Sequence, residues 1–292
     1  MPDTEKLHAE TVGALVREAT AQLRQAGVDE ADRAARWIVE EVIDTRWAQI
    51  VADPDRPVTD LERATVRKMV HRRAAGEPLQ HILGYTSFRG LRLDVSPDVL
   101  IPRPETEQVV ERLLQLYGNT RSCDVLDAGT GSGCIALALK AERPDWRVIA
   151  CDISSRALAV ARKNAARHGL DVDFRRADML SPDFAEQVGR EFNLVVSNPP
   201  YVTVEEEDTM SSEVRDHEPS IALFASGGAL QFYRALAQHS EDLLADRGLL
   251  IVEINEAYGT AVKKCFESAG LRDVEVYEDL AGRERIVSGW RK

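Results

Sequence analysis

Cysteine and long apolar runs are scarce in this chain and its positive charge is outweighed by negative, and each shortage closes a class of explanation. There are only four cysteines, Cys123, Cys134, Cys151 and Cys265, with no C-x-x-C spacing among them. A disulfide scaffold and a thiolate zinc site are therefore not expected. The thiols sit in apolar contexts and read as small buried hydrophobes of a reduced, intracellular protein. The six histidines are scattered without an H-x-x-x-H pair, so no metal site is expected. The formal net charge is −12. That balance argues against a surface that grips nucleic acid through its phosphates, and suits a cationic ligand and a basic protein partner. The start, Met1-Pro2-Asp3-Thr4-Glu5-Lys6, is charged, and no later apolar run is long enough to span a bilayer. A cytoplasmic protein is expected.

What is present is a packed core and a change of period along the chain. Hydrophobic residues make up 44% of 292, enough for two domains or one large one. Val12, Leu15, Val16, Ala19 and Leu23 recur at helical spacing up to Gly27. A second helix is predicted from near Asp29 through Trp37, Ile38 and Val42. A third runs from Asp60 to about Ala75, capped by Thr59 or Asp60 and stopped by Gly76. Residues 1–84 thus read as a helical bundle. The stretch Ser87–Val95 alternates around Gly90 and predicts a hairpin, within a linker of residues 85–103. From residue 104 to 292 strands and helices alternate, which implies a mostly parallel sheet. The strands are predicted at 124–127, 148–152, 172–175, 192–197 and 249–254, with two late ones near 274–277 and 285–289. The acidic run Glu205-Glu206-Glu207-Asp208 reads as a solvated loop after the fourth strand, or as a face for a basic substrate.

Two loops carry the chemistry. The strand Cys123–Asp127 runs into Ala128-Gly129-Thr130-Gly131-Ser132-Gly133 and then an apolar helix. Strand, glycine turn and helix bring backbone N–H groups and a helix N-terminus against a ligand. The spacing is not the dinucleotide G-x-G-x-x-G, because Cys134 stands where the third glycine would fall, and no Lys follows for a Walker loop. Asp152 ends the next strand, about 20 positions beyond the loop, where a carboxylate can accept both hydroxyls of a ribose. Its alternative is to cap the following helix, a task Ser154 can take instead.

The second loop is Asn198-Pro199-Pro200-Tyr201, at the end of the apolar strand Phe192–Ser197. Two consecutive prolines cannot continue a strand ladder, so the chain leaves the sheet stiffly with the Asn198 amide projecting. An amide oxygen, a proline-flanked carbonyl and an aromatic face together suit a planar –NH2 group.

With these motifs the chain resembles the S-adenosylmethionine-dependent methyltransferases of the seven-stranded Rossmann-like class. More narrowly it resembles the bacterial release factor N5-glutamine methyltransferases, the PrmC/HemK family. The resemblance also rests on Leu79–Tyr85, on Val99-Leu100-Ile101-Pro102-Arg103-Pro104-Glu105-Thr106-Glu107, on Val214–Pro219 and on Asp279–Arg283. It implies an α/β fold: a seven-stranded sheet with the last strand antiparallel, a small N-terminal helical bundle that helps to recognise the release factor, and a linking hairpin. It implies S-adenosylmethionine as cofactor, S-adenosylhomocysteine as product, and methyl transfer to the glutamine nitrogen of a Gly-Gly-Gln motif in peptide chain release factors. It also implies a monomer, while the histidine pattern and the acidic charge imply no metal and no direct binding of nucleic acid.

Carried onto this sequence, the resemblance assigns cofactor contacts to Gly129, Thr130, Gly131, Ser132, Gly133, Asp152, Met179 and Asn198. The acceptor amide falls to Asn198, Pro199, Pro200 and Tyr201, with Asn198, Pro199 and Tyr201 in the catalytic roles. The Asn198 oxygen and the Pro199 carbonyl would each accept one N–H of the acceptor. Tyr201 either stacks on that amide or packs over the Pro-Pro turn. Asp127 either orders the glycine loop or faces the methionine moiety. Asp178 and Met179 follow the third strand, where adenine is bound in this class. Arg103 either closes over the cofactor or pairs with Glu105 or Glu107. Arg215 and Glu218 read as substrate contacts or as solvated loop charges. Ala128 and Glu253-Ile254-Asn255-Glu256 depart from the family pattern, and neither is expected to touch the chemistry. The competing reading is an amino-methyltransferase of nucleic-acid bases, adenine N6 or guanine N2, which needs the same Asn-Pro-Pro-Tyr logic. It calls for a basic recognition region that this acidic chain lacks.

Overall fold

Helical periodicity ends and strand alternation begins at Gly84, and the chain divides there into two compact units. The computed structural model describes residues 11–118, 120–189 and 191–292; the charged start Met1–Lys6 lies outside them.

The first unit holds α1 (Val12–Gln25), α2 (Ala31–Ile43), α3 (Trp47–Ala52), α4 (Asp60–Ala74) and α5 (Leu79–Leu83). One apolar stripe from each of the long helices meets in a shared core: Leu15, Ala19 and Leu23 of α1, Ile38 and Val39 of α2, Val66 and Val70 of α4. The start of α4 is fixed by a capping box. Thr59 Oγ1 accepts the Glu62 N–H at 3.2 Å, and Glu62 Oε2 accepts the Thr59 N–H at 2.7 Å. Such a cap contributes about 1 kcal/mol. The helices α3 and α5 were not predicted, because five or six residues are too few to display a helical period.

The second unit opens with a hairpin, β1 (Tyr85–Phe88) and β2 (Leu91–Asp94), whose turn carries Arg89 and Gly90 at positive φ. Then follow α6 (Pro104–Tyr117), β3 (Asp124–Ala128), α7 (Cys134–Glu142), β4 (Arg147–Asp152), α8 (Ser155–His168), β5 (Asp173–Arg176), α9 (Phe184–Val188) and β6 (Phe192–Ser197). After a 3-10 turn at Val204–Thr209 comes α10 (Ser212–His217), which belongs to the first unit. The second unit resumes with α11 (Ser220–Leu223), α12 (Gln231–Leu243), β7 (Leu244–Glu253), α13 (Gly259–Ser268), β8 (Arg272–Glu278) and β9 (Glu284–Trp290).

Among the described residues seven strands form one sheet in the order β5-β4-β3-β6-β7-β9-β8. The first five are parallel, and β9 pairs antiparallel with both β7 and β8. The central strands are buried on both faces, as parallel sheets covered by helices require. Alternate residues therefore enter different cores. Leu126, Val195 and Leu250 face Phe184, Tyr233 and Phe266 on one side. Val125, Leu194 and Ile251 face Leu113, Leu137 and Trp146 on the other. After β3 the chain builds β4 and β5 outward on one side, then returns to lay β6 on the other. That reversal makes a crevice at the carboxyl ends of β3 and β6, the place where open α/β sheets bind ligands.

Candidate active site

The two loops singled out in the sequence lie side by side because their strands are neighbours. Ala128 pairs with Ser197 at the last step of the β3–β6 ladder. The buried Ser197 Oγ donates to the Ala128 carbonyl at 2.6 Å, fastening the two strand ends together.

On the β3 side, Gly129 and Thr130 donate their N–H groups to the Cys151 carbonyl, both at 2.9 Å. Gly129 takes φ +77°, and a Cβ there would come within 3.1 Å of Met179 Cε. Gly133 takes φ +85° as the first cap of α7, and a Cβ would meet Leu137 and Ala161 at 3.1 and 3.2 Å. Left-handed backbone with packed surroundings leaves glycine as the residue that fits. Beneath the loop Asp127 is fully buried. Its Oδ2 accepts the Thr130 hydroxyl at 2.6 Å and the Ala136 N–H at 3.1 Å, while its Oδ1 makes no hydrogen bond. Burial pushes the Asp127 carboxyl up to about 7, against the lowering effect of those two donors. Of the two roles foreseen for Asp127, the hydrogen bonds realise the ordering of the glycine loop.

Asp152 ends β4 and binds the same loop. Its Oδ2 accepts the Gly131 N–H at 2.9 Å and its Oδ1 the Ser154 N–H at 2.8 Å. Burial raises its pKa. The cap of α8 is Ser154, whose hydroxyl accepts the Ala157 N–H at 3.1 Å, so Asp152 is not the cap. Buried Asn164 of α8 ties the loop to the hairpin. Its Nδ2 donates to the Ser132 and Asp94 carbonyls at 2.9 and 3.0 Å, and its Oδ1 accepts the Asp94 N–H at 2.7 Å. Nothing in the sequence pattern marked Asn164, an amide within an otherwise ordinary helical stretch.

On the β6 side, Asn198 Nδ2 donates to Thr106 Oγ1 at 3.1 Å, and the Thr106 hydroxyl donates to Glu253 Oε2 at 2.7 Å. Thr106 and Glu253 are each only 2% exposed. Burial pushes the Glu253 carboxyl up to about 7, opposed first by the Thr106 hydrogen bond and then by Arg285. The segment Glu253–Glu256 was expected to stand apart from the chemistry. Glu253 instead lies two hydrogen bonds from the Asn198 amide, because the register of β7 beside β6 brings its carboxyl end to the crevice. The signal that was available is an acid closing the apolar run Leu249–Val252, just as Asp127 closes Val125-Leu126.

A cavity opens between the two sides, lined among others by Gly129, Gly131, Asp152, Met179, Asn198 and Pro200. Thr130, Ser132, Thr106 and Asp178 also border it. Gly133, Pro199 and Tyr201 lie outside this lining. Gly133 donates its N–H to the Thr130 carbonyl at 2.9 Å within the loop. Tyr201 packs against the core that contains Leu126 and Val195, and burial pushes its phenol up to about 12. Arg103 borders the cavity and pairs with Glu218 at 2.5 Å, not with Glu105 or Glu107. Glu218 is only 5% exposed and also accepts the Ile101 N–H at 3.1 Å, so it is a buried fastening for the 101–103 strap and not a solvated charge. Arg215 pairs with its neighbour Asp216 at 2.8 Å.

Of the thiols expected to be buried, Cys123 and Cys151 are, whereas Cys134 and Cys265 are half-buried; burial pushes Cys123 and Cys134 up to about 12. Among the described residues no group of three or more His, Cys, Asp or Glu is placed to hold a metal ion, and no helix is long and apolar enough to cross a membrane.

Residues 14–84 match the PrmC N-terminal domain and residues 105–247 the methyltransferase small domain. The chain is 40% identical over 269 residues to a release factor glutamine methyltransferase of Caulobacter vibrioides, covering 92% of each chain. It is 35% identical over 286 residues to one of Geobacter sulfurreducens, covering 98% of this chain and 99% of that one. Among solved structures, a methyltransferase from Pyrococcus furiosus aligns with a TM-score of 0.52 at 16% identity, over 69% of this chain and 89% of its own, which is a likeness of fold. With relatives this similar over nearly its whole length, the chain belongs to the release factor glutamine methyltransferase family.

Proposed function

We propose that this protein transfers a methyl group from S-adenosylmethionine to the side-chain nitrogen of the glutamine in the Gly-Gly-Gln motif of peptide chain release factors. The observation that carries the reading is the Asn198 carboxamide. It borders the cavity beside the glycine loop with its Nδ2 committed to Thr106, which leaves Oδ1 to accept from a substrate –NH2.

The lining suits the cofactor. Asp152 offers carboxylate lone pairs beyond those used by Gly131 and Ser154, and Met179 gives a soft apolar surface. Asp127 Oδ1 is a buried acceptor without a partner beneath the loop. When bound, S-adenosylmethionine supplies an electrophilic methyl group on a sulfonium. The residues of the chain do the rest by positioning. An amide nitrogen is a poor nucleophile because its lone pair is delocalised. Asn198 Oδ1 and the Pro199 carbonyl would each accept one N–H of the glutamine, fix the plane of the amide and favour the positive charge that develops on nitrogen. No strong base is required if the proton departs after transfer.

The helical unit is assigned the docking of the protein substrate, supported by the match of residues 14–84 to a domain of this family. The substrate implies a cytoplasmic enzyme, and the family a monomer. The decisive experiment incubates the protein with S-adenosylmethionine and a purified release factor, and then reads the Gly-Gly-Gln peptide by mass spectrometry. One added methyl on that glutamine, absent with Asn198→Ala, is expected. No methyl there, with label entering a DNA or RNA control, would overturn the reading in favour of base methylation.

A further inference from the structure

An asparagine amide has two ends of nearly equal shape and opposite hydrogen-bond character, so its orientation is decided by its partners. At Asn198 the partner is Thr106 Oγ1, a group that can accept or donate. What makes Thr106 one-sided is Glu253. An ionised carboxylate accepts only. The Thr106 hydrogen is therefore used on Glu253 Oε2 at 2.7 Å, and Thr106 Oγ1 is left as an acceptor for Asn198 Nδ2 at 3.1 Å. We infer that Thr106 and Glu253 are positioning residues that lock the direction of the Asn198 amide, keeping its oxygen turned toward the acceptor nitrogen.

The three residues come from the start of α6, the end of β6 and the end of β7, 92 and 147 positions apart along the chain. Each rests on a stiff element. Glu253 is further held by the Tyr233 hydroxyl, which donates to its backbone carbonyl at 3.1 Å. The relay has a second polarity. With Glu253 protonated, its O–H can donate to Thr106, and the Thr106 O–H can donate to Asn198 Oδ1. The amide would then present Nδ2, a donor facing a donor, and an –NH2 substrate would be refused. The groups around Glu253 weigh on this balance. Arg103 and Arg285 favour the charged form, from the residue before α6 and from β9, and Glu105 of α6 opposes it. Tyr201, Tyr233 and Cys134 face it from the turn after β6, from α12 and from α7. The carboxyl sits at about 7, so both polarities are within reach of ordinary pH.

The role assigned to Asn198 Oδ1 rests on the proposed reaction, so the test has an arm that does not need it. In the first arm kcat is measured from pH 5.5 to 9 with a release factor, and S-adenosylhomocysteine affinity by calorimetry. Thr106→Val is expected to lower kcat about 100-fold, a loss of the size seen when one oriented hydrogen bond at a reacting centre is removed, with cofactor-product affinity unchanged within about threefold. Thr106→Ser restores most of it. Wild-type kcat rises with pH through about 7, and Glu253→Gln, whose amide can donate or accept, flattens that limb. In the second arm the Asn198 side-chain N–H signals are followed by NMR without substrate. They shift in step with the Glu253 carboxyl in the wild type, and lose that response in Thr106→Val. Thr106→Val with near wild-type kcat, or Asn198 signals indifferent to Glu253 titration, overturns the inference. Absence of glutamine methylation by the wild type would remove the proposed function instead, and the NMR arm still decides the relay.

Discussion

The two sides of the crevice are each backed by a buried acid, and the acids are used in opposite ways. On the β3 side Asp127 concentrates its contacts on one oxygen, which takes both the Thr130 hydroxyl and the Ala136 N–H from within ten residues of itself. On the β6 side Glu253 takes a single hydroxyl from a helix 147 positions away, and that hydroxyl reaches onward to Asn198. One acid shapes a backbone loop and the other aims a side chain. Both are pushed up to about 7 by the same burial. The difference teaches that a buried carboxylate near a site is not by itself a base. Its meaning lies in which donors it commits and what those donors then do.

The comparison breaks most sharply at Asn198. Replacing it with Ala is expected to lower kcat about 1,000-fold, at the upper end for loss of one oriented acceptor, while S-adenosylhomocysteine affinity measured by calorimetry stays nearly intact. Equal losses in both would mean that the β6 side holds cofactor and not acceptor. Asp127→Ala should act the other way. It strands the Thr130 hydroxyl and the Ala136 N–H, at about 1–3 kcal/mol each, so the urea midpoint should fall and cofactor affinity with it.

The shared upward shift predicts a pH dependence whose sign can be stated. An acid whose folded pKa exceeds its unfolded one binds more protons in the folded state, so its contribution to stability is full below about 4 and is lost as pH rises through about 7. Glu253→Gln mimics the protonated form. Relative to wild type it should therefore gain on the order of 2 kcal/mol between pH 5 and pH 8, read from paired denaturation curves. A difference that does not change with pH would mean Glu253 is not held protonated by burial. If Glu253 behaves as the relay requires, stability falls over the same range in which activity rises. The smallest effect belongs to Asp152, which already spends one contact on Gly131 and one on Ser154. Asp152→Ala is expected to weaken cofactor binding about tenfold, roughly 1.4 kcal/mol, with saturated kcat little changed. Unchanged affinity would confine Asp152 to holding the loop.

The same contrast explains what could be read from the sequence. The β3 side is local. Strand, glycine turn, helix and Asp152 all follow within one β-α-β unit, and contiguous spacing states their geometry. The stiff exit at Asn198-Pro199-Pro200-Tyr201 is local too. The support behind Asn198 is not, since Thr106 of α6 and Glu253 of β7 are 147 positions apart and meet only in the folded unit. The pairing of Arg103 with Glu218, 115 positions away, is hidden from the sequence for the same reason. In the fold, the long periodic helices and most apolar strands are legible to within a few residues, but β7 begins at Leu244, ahead of the predicted 249, because the polar Asp246-Arg247 pair interrupts its apolar pattern. The one-turn helices α3 and α5 are not legible, because they carry too little pattern to distinguish from a loop.

The sheet keeps an interior place for the last of its described strands. Of the nine described strands, Glu284–Trp290 follows all the others in the chain, yet it sits between β7 and β8 and bonds to both. Without that strand β7 would have an unpaired edge, and β8 would have no neighbour in the sheet. An open edge of that kind invites pairing with other chains. Placing β9 thus closes two edges in one event, and losing even this short segment would expose both at once.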